Sequence, residues 1–510
     1  MEKLKTRNRL VRVAGNAEAS MLSENIRNSK RLFVDIGVVS LLTVLAIIAL
    51  LSKVVQYYGF QIHDWDTGIY SNVIWNLISG NGFYSDVLNR NHLGEHFSPI
   101  IAAFAPLFIL YPSPVWLLAA QGLAVGTTYV LLYFVAVTIF RDANTSFAKA
   151  LALFFVFWAF LYRPLTSALL FEFHPSTLAT PLVAASVLVL HRGSDRTLWL
   201  LVAVLLLSKE SAPLAVLGLG CYAGLVLFRP KLGLALSAVA GGSAALTMGV
   251  VMPLFRTEQW VHYSRWAPLA EWEDKSVYLL ALVKALAFLP LASWRSLMCA
   301  APLVGLNISV AFPSQYSSSY QYDDFASVFL LVAAMHGTVV VLRGVGSAFK
   351  SQRCIAASVF IALIAIFSEQ EGRMPYRVFT ALFSLEPVPR SATTDVRSAF
   401  SYLQRFWPSD NDRQLEQELA AYRNLPFEIG IAAQQTLGPY LSARKRYVSI
   451  YLASEGVDMR RLKPGDKILL TPIADAFEFA ALERLLENDA GLTRVHASRV
   501  LHVYEVISRP

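Results

Sequence analysis

The sequence predicts an α-helical polytopic membrane protein with about 11 spanning helices, one re-entrant or interfacial segment and a small C-terminal soluble α/β domain. Three observations predict it. The chain of 510 residues is 55% apolar and 16% charged, whereas a soluble protein carries about a quarter charged residues. Long apolar runs recur from position 32 to about position 368. After about position 371 the apolar runs become short and charged residues become frequent.

The N-terminal residues 1–31 form a polar tail with eight Lys or Arg. The apolar stretch 32–52 that follows is too long for the core of a secretory signal, so it predicts an uncleaved first transmembrane helix. By the positive-inside rule the basic tail lies in the cytoplasm. The net charge of +8 has the same origin, so no nucleic-acid partner is expected. The three cysteines lie far apart and predict neither disulfides nor a metal site.

Segment 98–111 is predicted to be re-entrant or interfacial. As a helix it is about 21 Å long, against a hydrocarbon core of about 30 Å, and it is bounded by Pro99 and the run YPSP. The predicted spanning segments are 32–52, 115–140, 150–162, 176–190, 197–207, 212–228, 232–254, 277–292, 297–312, 325–343 and 354–368.

This count of crossings sets the orientation of the loops. Basic residues such as Arg141, Arg192 and Arg229 then fall on the cytoplasmic side. The long first loop 53–97 falls outside, as does everything after the transmembrane domain 32–370. The sequence therefore predicts an extracytoplasmic domain over residues 371–510.

The C-terminal domain shows strand and helix patterns. YVSIYL (447–452), KILLTP (467–472) and RVLHVYEVI (499–507) predict strands, and FEFAALERLLEND (477–489) predicts an amphipathic helix.

Ionisable and phenolic side chains interrupt the apolar region in several places, all on the predicted outer side. Ionisable groups at membrane depth are costly and usually face a cavity or a partner, so together they indicate a functional site. They are Asp64, Asp66, His92, Glu95, His96, Glu172, His174, Lys209, Glu210, Tyr320, Tyr322, Asp323 and Asp324.

Each of these groups also has a structural interpretation. Asp64 and Asp66 could solvate the loop or cap the helix that IYSNVIWNLI begins. FEFHP could hold a buried hydrogen-bonded pair of Glu172 and His174. Lys209 could form a structural ion pair with another helix, as could its neighbour Glu210, and the stretch 316–322 could be an interfacial aromatic belt.

The string HLGEH matches the H-x-x-E-H spacing of inverted zinc proteases. Gly94 weakens the required helix, Pro99 follows closely, and no third ligand is evident. A metal site is therefore not predicted here, and His92 and His96 could be ordinary loop histidines.

A carboxylate at the outer membrane surface can act as general base on an acceptor hydroxyl or amine. If the sugar donor is carried on a polyprenyl phosphate, the site must lie at lipid depth. Lys209, with Arg163, would then offset the charge of the phosphate leaving group. The sequence requires no cofactor, although a divalent cation could bridge Asp64 and Asp66.

Four motifs, in this order, resemble the family called domain of unknown function 2079. They are DWDTGIYSNVIWNLISGNGFYSD, HLGEHFSPIIAAFAPLFILYPSPVWLLAAQ, FEFHPSTLATP and LLLSKES. The stretch AAQQTLGPYLSARKRYVSIYL is similar too, with Tyr440 where that family is expected to have histidine. The family is similar in architecture to the C-type glycosyltransferases, polytopic enzymes that take sugars from polyprenyl-phosphate carriers and use an acid of the first outer loop.

The resemblance implies Asp66 as that acid, with Asp64 completing an Asp-x-Asp pair. It implies a bacterial cytoplasmic (inner) membrane protein that contacts membrane lipid and a polyprenyl-phosphate sugar donor. We expect substrate-binding roles for His96, Glu172, His174, Lys209 and Glu210. The alternative is a non-catalytic membrane protein or transporter that binds a lipid or polysaccharide precursor. A transporter should show internal repeats and broken helices meeting near the midplane, and no repeat is evident.

Overall fold

The computed structural model describes most of the transmembrane region and most of the C-terminal domain. The N-terminal tail 1–31, the predicted segment 354–368 and the predicted domain boundary near 371 lie outside the described residues. The described residues are 36–143 (except 41, 45, 48, 49 and 52), 148–256, 265–348, 408–450, 459–473 and 476–508.

Each apolar segment predicted within the described residues contains helix. Residues 36–58 are helical at every position described. The helices that follow in the transmembrane region are Ile69–Ile78, His92–Glu95, Ala105–Leu110, Val115–Asp142, Ala148–Leu161, Arg163–Leu170, Pro175–Arg192, Asp195–Leu206, Ala212–Cys221, Pro230–Leu246, Met252–Phe255, Trp272–Lys284, Leu289–Ala292, Trp294–Leu297, Ala301–Ile308 and Asp324–Ala348.

Fewer helices than predicted are long and apolar enough to cross a membrane by themselves. Among the described residues there are three, Val115–Asp142, Pro230–Phe255 and Gln321–Gly344, or four if Ala148–Leu161 and the adjoining Arg163–Leu170, bent by 61°, form one span. The chain is a multi-pass membrane protein, but the predicted number of 11 is not confirmed. Proline explains the bend, because the Pro164 ring at the start of the second helix cannot continue a hydrogen-bonded helix.

The membrane helices are apolar on both their inner and outer faces. Tyr133, Phe155 and Val187 are fully buried between helices. On the outer faces Leu200 is 70% exposed and Leu254 is 77% exposed. Apolar side chains that face outward from an apolar bundle are placed to contact lipid.

Segment 98–111 folds as a 3-10 helix, Pro99–Phe104, that continues into helix Ala105–Leu110. At 1.5–2 Å per residue this element is about 20 Å long, shorter than the hydrocarbon core of about 30 Å. Its end is apolar and open, with Leu110 77% exposed. These features agree with the predicted re-entrant or interfacial placement.

The first loop carries a small hairpin and the C-terminal region a sheet. Strands β1 (Tyr84–Ser85) and β2 (Arg90–Asn91) pair antiparallel. The C-terminal sheet has five strands in the order β4-β3-β5-β7-β6, parallel between β4, β3 and β5 and antiparallel beyond. Its elements are helix Asp410–Arg423, β3 (Ile431–Gln434), helix Gly438–Leu441, β4 (Tyr447–Ile450), β5 (Lys467–Leu470), helix Ala476–Glu487, β6 (Leu492–Ala497) and β7 (His502–Val506).

The two faces of this sheet pack against different parts of the protein. Ile468 and Tyr504 face the helix Ala476–Glu487 side, in a core that contains Leu482. Ile431 and Tyr447 belong to the opposite face, whose core continues into the first loop. Because alternate residues of a strand point to opposite faces, one sheet fills both cores.

The shared core places the C-terminal sheet and the first loop on the same side of the membrane region. Tyr440 reinforces the junction, because its ring stacks on Tyr57 and Phe60 with centroid separations of 4.2 and 4.4 Å and its hydroxyl donates to the Tyr57 carbonyl. The tyrosine that replaces the expected histidine therefore contributes packing at this junction.

We expect this common side to be extracytoplasmic. Reporter fusions at position 400 test it, because alkaline phosphatase is active outside the cytoplasm and green fluorescent protein fluoresces inside it. Phosphatase activity with no fluorescence is the expected result. Fluorescence of the fusion at position 400 would contradict the predicted orientation.

Candidate active site

The stretch HDWDTG forms a single wide turn between the first helix and helix Ile69–Ile78. Residues Asp64–Gly68 are a π-helix, and no side chain caps either helix start. The structural interpretation of Asp66 as a helix cap is therefore not supported. This turn places the carboxylates of Asp64 and Asp66 in separate surroundings.

Asp64 is fully buried against the C-terminal domain. The Tyr447 hydroxyl donates a hydrogen bond of 2.8 Å to Asp64 Oδ2. Burial raises the pKa of the Asp64 carboxyl to about 7, even though hydrogen bonds from the C-terminal domain oppose the rise. Asp64 is consequently closed to solvent in this structure, and its contact with Tyr447 lies at the junction.

The buried Asp64 predicts a pH dependence of stability. Its folded pKa of about 7 lies above the unfolded value of 3.8, so the folded state binds the proton more tightly. The contribution to stability is fully present below about pH 4 and is lost as the pH rises through about 7. We expect wild type to lose up to about 4 kcal/mol relative to Asp64→Asn over this interval. Thermal unfolding of both proteins between pH 4 and 8 measures the difference, and parallel curves would contradict the prediction.

Asp66 pairs with His174. His174 Nε2 lies 3.0 Å from Asp66 Oδ1, and His174 Nδ1 lies 3.0 Å from the Glu172 carbonyl oxygen. A carbonyl only accepts, so Nδ1 carries a hydrogen. Nε2 is therefore the ring nitrogen that contacts the carboxylate. The Asp66 side chain is 26% exposed while His174 is buried. The carboxylate therefore contacts His174 on its buried side and remains accessible to solvent on the other.

Glu172 turns its carboxylate away from His174. Glu172 Oε1 accepts from the His63 backbone N–H at 3.0 Å and lies 2.8 Å from His63 Nδ1. This hydrogen bond is the main reason that the pKa of His63 is raised. The expected pairing of the Glu172 and His174 side chains is therefore not observed, and Glu172 instead ties the turn at His63 to the membrane bundle.

Glu210 and His96 form a second carboxylate–histidine pair. His96 Nδ1 lies 3.0 Å from Glu210 Oε1, and the Phe97 backbone N–H donates a hydrogen bond of 3.1 Å to Glu210 Oε2. Burial favours the neutral acid, but the His96 and Lys209 charges outweigh it and hold the pKa of Glu210 at about 2. Burial opposes protonation of His96, yet Glu210 outweighs it and raises the pKa of His96.

Lys209 lies in the turn between helices Asp195–Leu206 and Ala212–Cys221. Its half-buried ammonium lies 5.5 Å from the centre of the Tyr322 ring. Asp324 interacts electrostatically with both Lys209 and His174, and Tyr322 interacts with both Asp66 and Glu210. Lys209 therefore belongs to the same cluster as the Asp66–His174 pair.

The structure thus brings seven of the candidates together, namely Asp66, His96, His174, Lys209, Glu210, Tyr322 and Asp324. Other candidates lie elsewhere. Asp323 instead accepts from Tyr278 at 2.5 Å, in a network with Asn307 that is fully buried inside the bundle. Arg163 donates a hydrogen bond of 2.6 Å to the exposed Ser319. The Tyr320 ring packs on Phe171. His92 is buried and forms a hydrogen bond of 3.1 Å with Ser98.

The carboxylates of Asp64 and Asp66 do not form a bridging pair, since one contacts Tyr447 and the other His174. Within the described residues, no three His, Cys, Asp or Glu side chains are grouped to hold a metal ion.

Three residues of the site were not predicted. His63 precedes Asp64 directly and could have been included by its position. Tyr70 is buried beside His174, with ring centroids 6.0 Å apart, and burial with the Asp66 and Glu210 charges holds the pKa of Tyr70 well above its usual range. Tyr447 carries no sequence signal, because it lies in an ordinary apolar strand.

The fold and the site define a class of multi-pass membrane protein with a carboxylate–histidine cluster between its first loop and its membrane helices. The chain belongs to the DUF2079 family of predicted membrane proteins, whose model matches residues 56–489. The resemblance predicted from the four motifs is confirmed.

The solved structures that are similar to this chain include two of one protein. They are crystal structures of ArnT from Cupriavidus metallidurans, one bound to undecaprenyl phosphate and one in the apo state. Each match has a TM-score of 0.48 and covers 92% of this chain and 98% of the other, at 13% and 14% identity respectively. No curated protein sequence matches the chain.

Proposed function

We propose that this protein is an integral membrane glycosyltransferase. It transfers a sugar from a polyprenyl-phosphate-linked donor to an acceptor at the outer face of the bacterial cytoplasmic membrane. The observation that carries the proposal is the Asp66–His174 pair, which holds a partly exposed carboxylate in one cluster with the Lys209 ammonium.

In the proposed reaction, the acceptor hydroxyl gives its proton to the Asp66 carboxylate as its oxygen bonds to the anomeric carbon of the donor sugar. The bond between that carbon and the phosphate oxygen breaks, and its electron pair leaves with polyprenyl phosphate. The Lys209 ammonium offsets the charge that grows on the phosphate. His174 orients Asp66, and Asp66 then releases the proton to solvent.

The surroundings of Lys209 suit a lipid-linked donor. The Ile100 N–H donates a hydrogen bond of 3.0 Å to the Leu207 carbonyl, so the short apolar helix that starts at Pro99 begins beside the Lys209 turn. The open apolar end of that helix can contact a polyprenyl chain while the phosphate reaches the ammonium. A water-soluble donor would gain nothing from this surface.

A non-catalytic protein or transporter that binds a lipid or polysaccharide precursor is the second candidate. Such a protein also benefits from Lys209 beside an apolar helix. It has no use for a partly exposed carboxylate that His174 holds in place. The two functions therefore differ in whether Asp66 affects turnover or only binding.

Transfer can be measured with purified protein in nanodiscs. Undecaprenyl-phosphate-linked glucose, mannose and N-acetylglucosamine serve as donors, with total envelope polysaccharide as acceptor. Mass spectrometry detects released undecaprenyl phosphate. Release from at least one donor supports the proposal. Donor binding without release, unchanged by Asp66→Asn, would favour the non-catalytic candidate instead.

Lys209→Ala is expected to weaken binding of undecaprenyl phosphate about 10- to 100-fold. A hydrogen bond to a charged group contributes about 1.5–3 kcal/mol, and about 1.4 kcal/mol corresponds to tenfold in affinity. Lys209→Arg should retain most of the affinity because it retains the charge. The matched control is Lys231→Ala, which removes an exposed lysine at the start of helix Pro230–Leu246. Equal affinities of Lys209→Ala and Lys231→Ala would contradict a phosphate-binding role.

A further inference from the structure

A second polar site lies where the first loop meets the C-terminal domain. It is a pocket of about 320 Å³, open to solvent and lined by Asn76, Asn81, Tyr84, Asp86 and Lys445. This volume is at the lower end of the range for small-molecule sites.

The inner wall of the pocket is fixed by a hydrogen-bond network. Asn76 donates to Asp86 Oδ2 at 2.7 Å and to Asn72 Oδ1 at 3.2 Å. The Asp86 backbone N–H donates to Asn72 Oδ1 at 2.7 Å. Asn81 donates to Asn76 Oδ1 at 2.9 Å. Both N–H groups of Asn76 are used inside this network, which holds the exposed amide of Asn81 in place as the group that can bind a ligand hydroxyl.

The outer wall is positively charged. Lys445 is exposed and has no carboxylate partner in the part of the chain that the structure describes. Arg461 lies 3.8 Å from Asp86 Oδ1, and Asp86 is the single acidic residue of the lining. Lys445 balances Asp86 within the lining, and Arg461 beside Asp86 adds a further positive charge, so the net charge around the pocket favours an anion.

From this combination we propose that the pocket binds an anionic sugar unit, a uronate or a sugar phosphate, of a saccharide ligand. That this saccharide is the acceptor of the transfer reaction rests on the proposed function. The distance from Asp66 to Asn76 at the pocket, measured along helix Ile69–Ile78 and the turn before it, is about 15 Å for ten residues. The bound unit is therefore a different one from the unit that reacts.

Binding can be tested without any donor or turnover. Saturation-transfer-difference NMR on the protein in nanodiscs would use hyaluronan tetrasaccharide as the uronate probe and glucose 6-phosphate as the phosphate probe. Tetra-N-acetylchitotetraose and glucose are their neutral counterparts. We expect at least one anionic probe to bind more tightly than its neutral counterpart, and the one that does identifies the anion.

Lys445→Ala is expected to weaken binding of the anionic probe about three- to fivefold, because an exposed charge pair contributes little free energy. Binding of the neutral probe should not change. The matched control is Lys463→Ala, another exposed lysine of the same domain. Absence of binding by both anionic probes, or equal affinities of Lys445→Ala and wild type, would overturn the proposal. Release of undecaprenyl phosphate from a linked donor, measured in parallel, shows separately whether the proposed function fails.

Discussion

Asp66→Asn is expected to lower sugar transfer by roughly 10²–10⁴-fold, the usual contribution of a general base. The introduced amide has the shape of the carboxylate. Because His174 carries its hydrogen on Nδ1, the bare Nε2 of a neutral ring can accept from that amide. The pair therefore keeps its geometry, and only the base is lost. The rate of undecaprenyl phosphate release from the donor that wild type uses measures the effect.

Two comparisons separate loss of the base from loss of the fold. Thermal unfolding of Asp66→Asn should match wild type. Asp410→Asn, which removes a carboxylate whose side chain is 99% exposed, should transfer sugar at the wild-type rate. A well-folded Asp66→Asn protein with near-normal transfer would show that Asp66 is not the general base.

Much of the membrane fold follows from composition and apolar runs, but the number of crossings does not. Val115–Asp142 was predicted almost to its ends because no proline or sharp turn interrupts it. The predicted segment 277–292 divides at Ala287 and Phe288, whose φ values of 52° and 58° are left-handed. Such breaks depend on packing, since Ala and Phe carry no local preference for that conformation.

In the C-terminal domain, helix Asp410–Arg423 was missed although its start was readable. Ser409 and Asp412 form a capping box, in which each side chain bonds the backbone N–H of the other residue. Strand β3 has only four residues, and the exposed residues of β6 give little apolar alternation. Strands of this kind are set by their neighbours in the sheet.

The site was predicted as a set of residue types, and its pairings were not. An ionisable group near the outer end of an apolar segment is visible in the sequence, as for Asp66, Lys209 and Glu210. Which histidine meets which carboxylate depends on how distant helices pack. Glu172 was therefore expected beside His174, whereas the structure gives it His63 and leaves His174 to Asp66.

The junction between the first loop and the C-terminal domain depends on two glycines that flank Asp64. A Cβ atom on Gly68 would lie 2.6 Å from Asp64 Cβ. A Cβ atom on Gly438 would lie 2.1 Å from Asp64 Cβ and 2.8 Å from the Tyr447 hydroxyl. These separations are shorter than the contact distance of two carbon atoms. The backbone at Gly438 can therefore approach Asp64 only because glycine has no side chain.

Gly438→Ala is therefore expected to lower the free energy of unfolding by about 1–3 kcal/mol, as overpacking of a close contact does. The added methyl group must push helix Gly438–Leu441 away from Asp64 and break the hydrogen bond from Tyr447. Tyr447→Phe removes that bond without a clash, so it separates the two effects. Gly241→Ala is the matched control, because nothing lies within 4 Å of its Cβ position. Thermal unfolding in detergent measures all three variants. If Gly438→Ala unfolded at the temperature of Gly241→Ala, the C-terminal domain could not be packed on Asp64 as the structure places it, and the first loop would have to hold the carboxylate cluster in place alone.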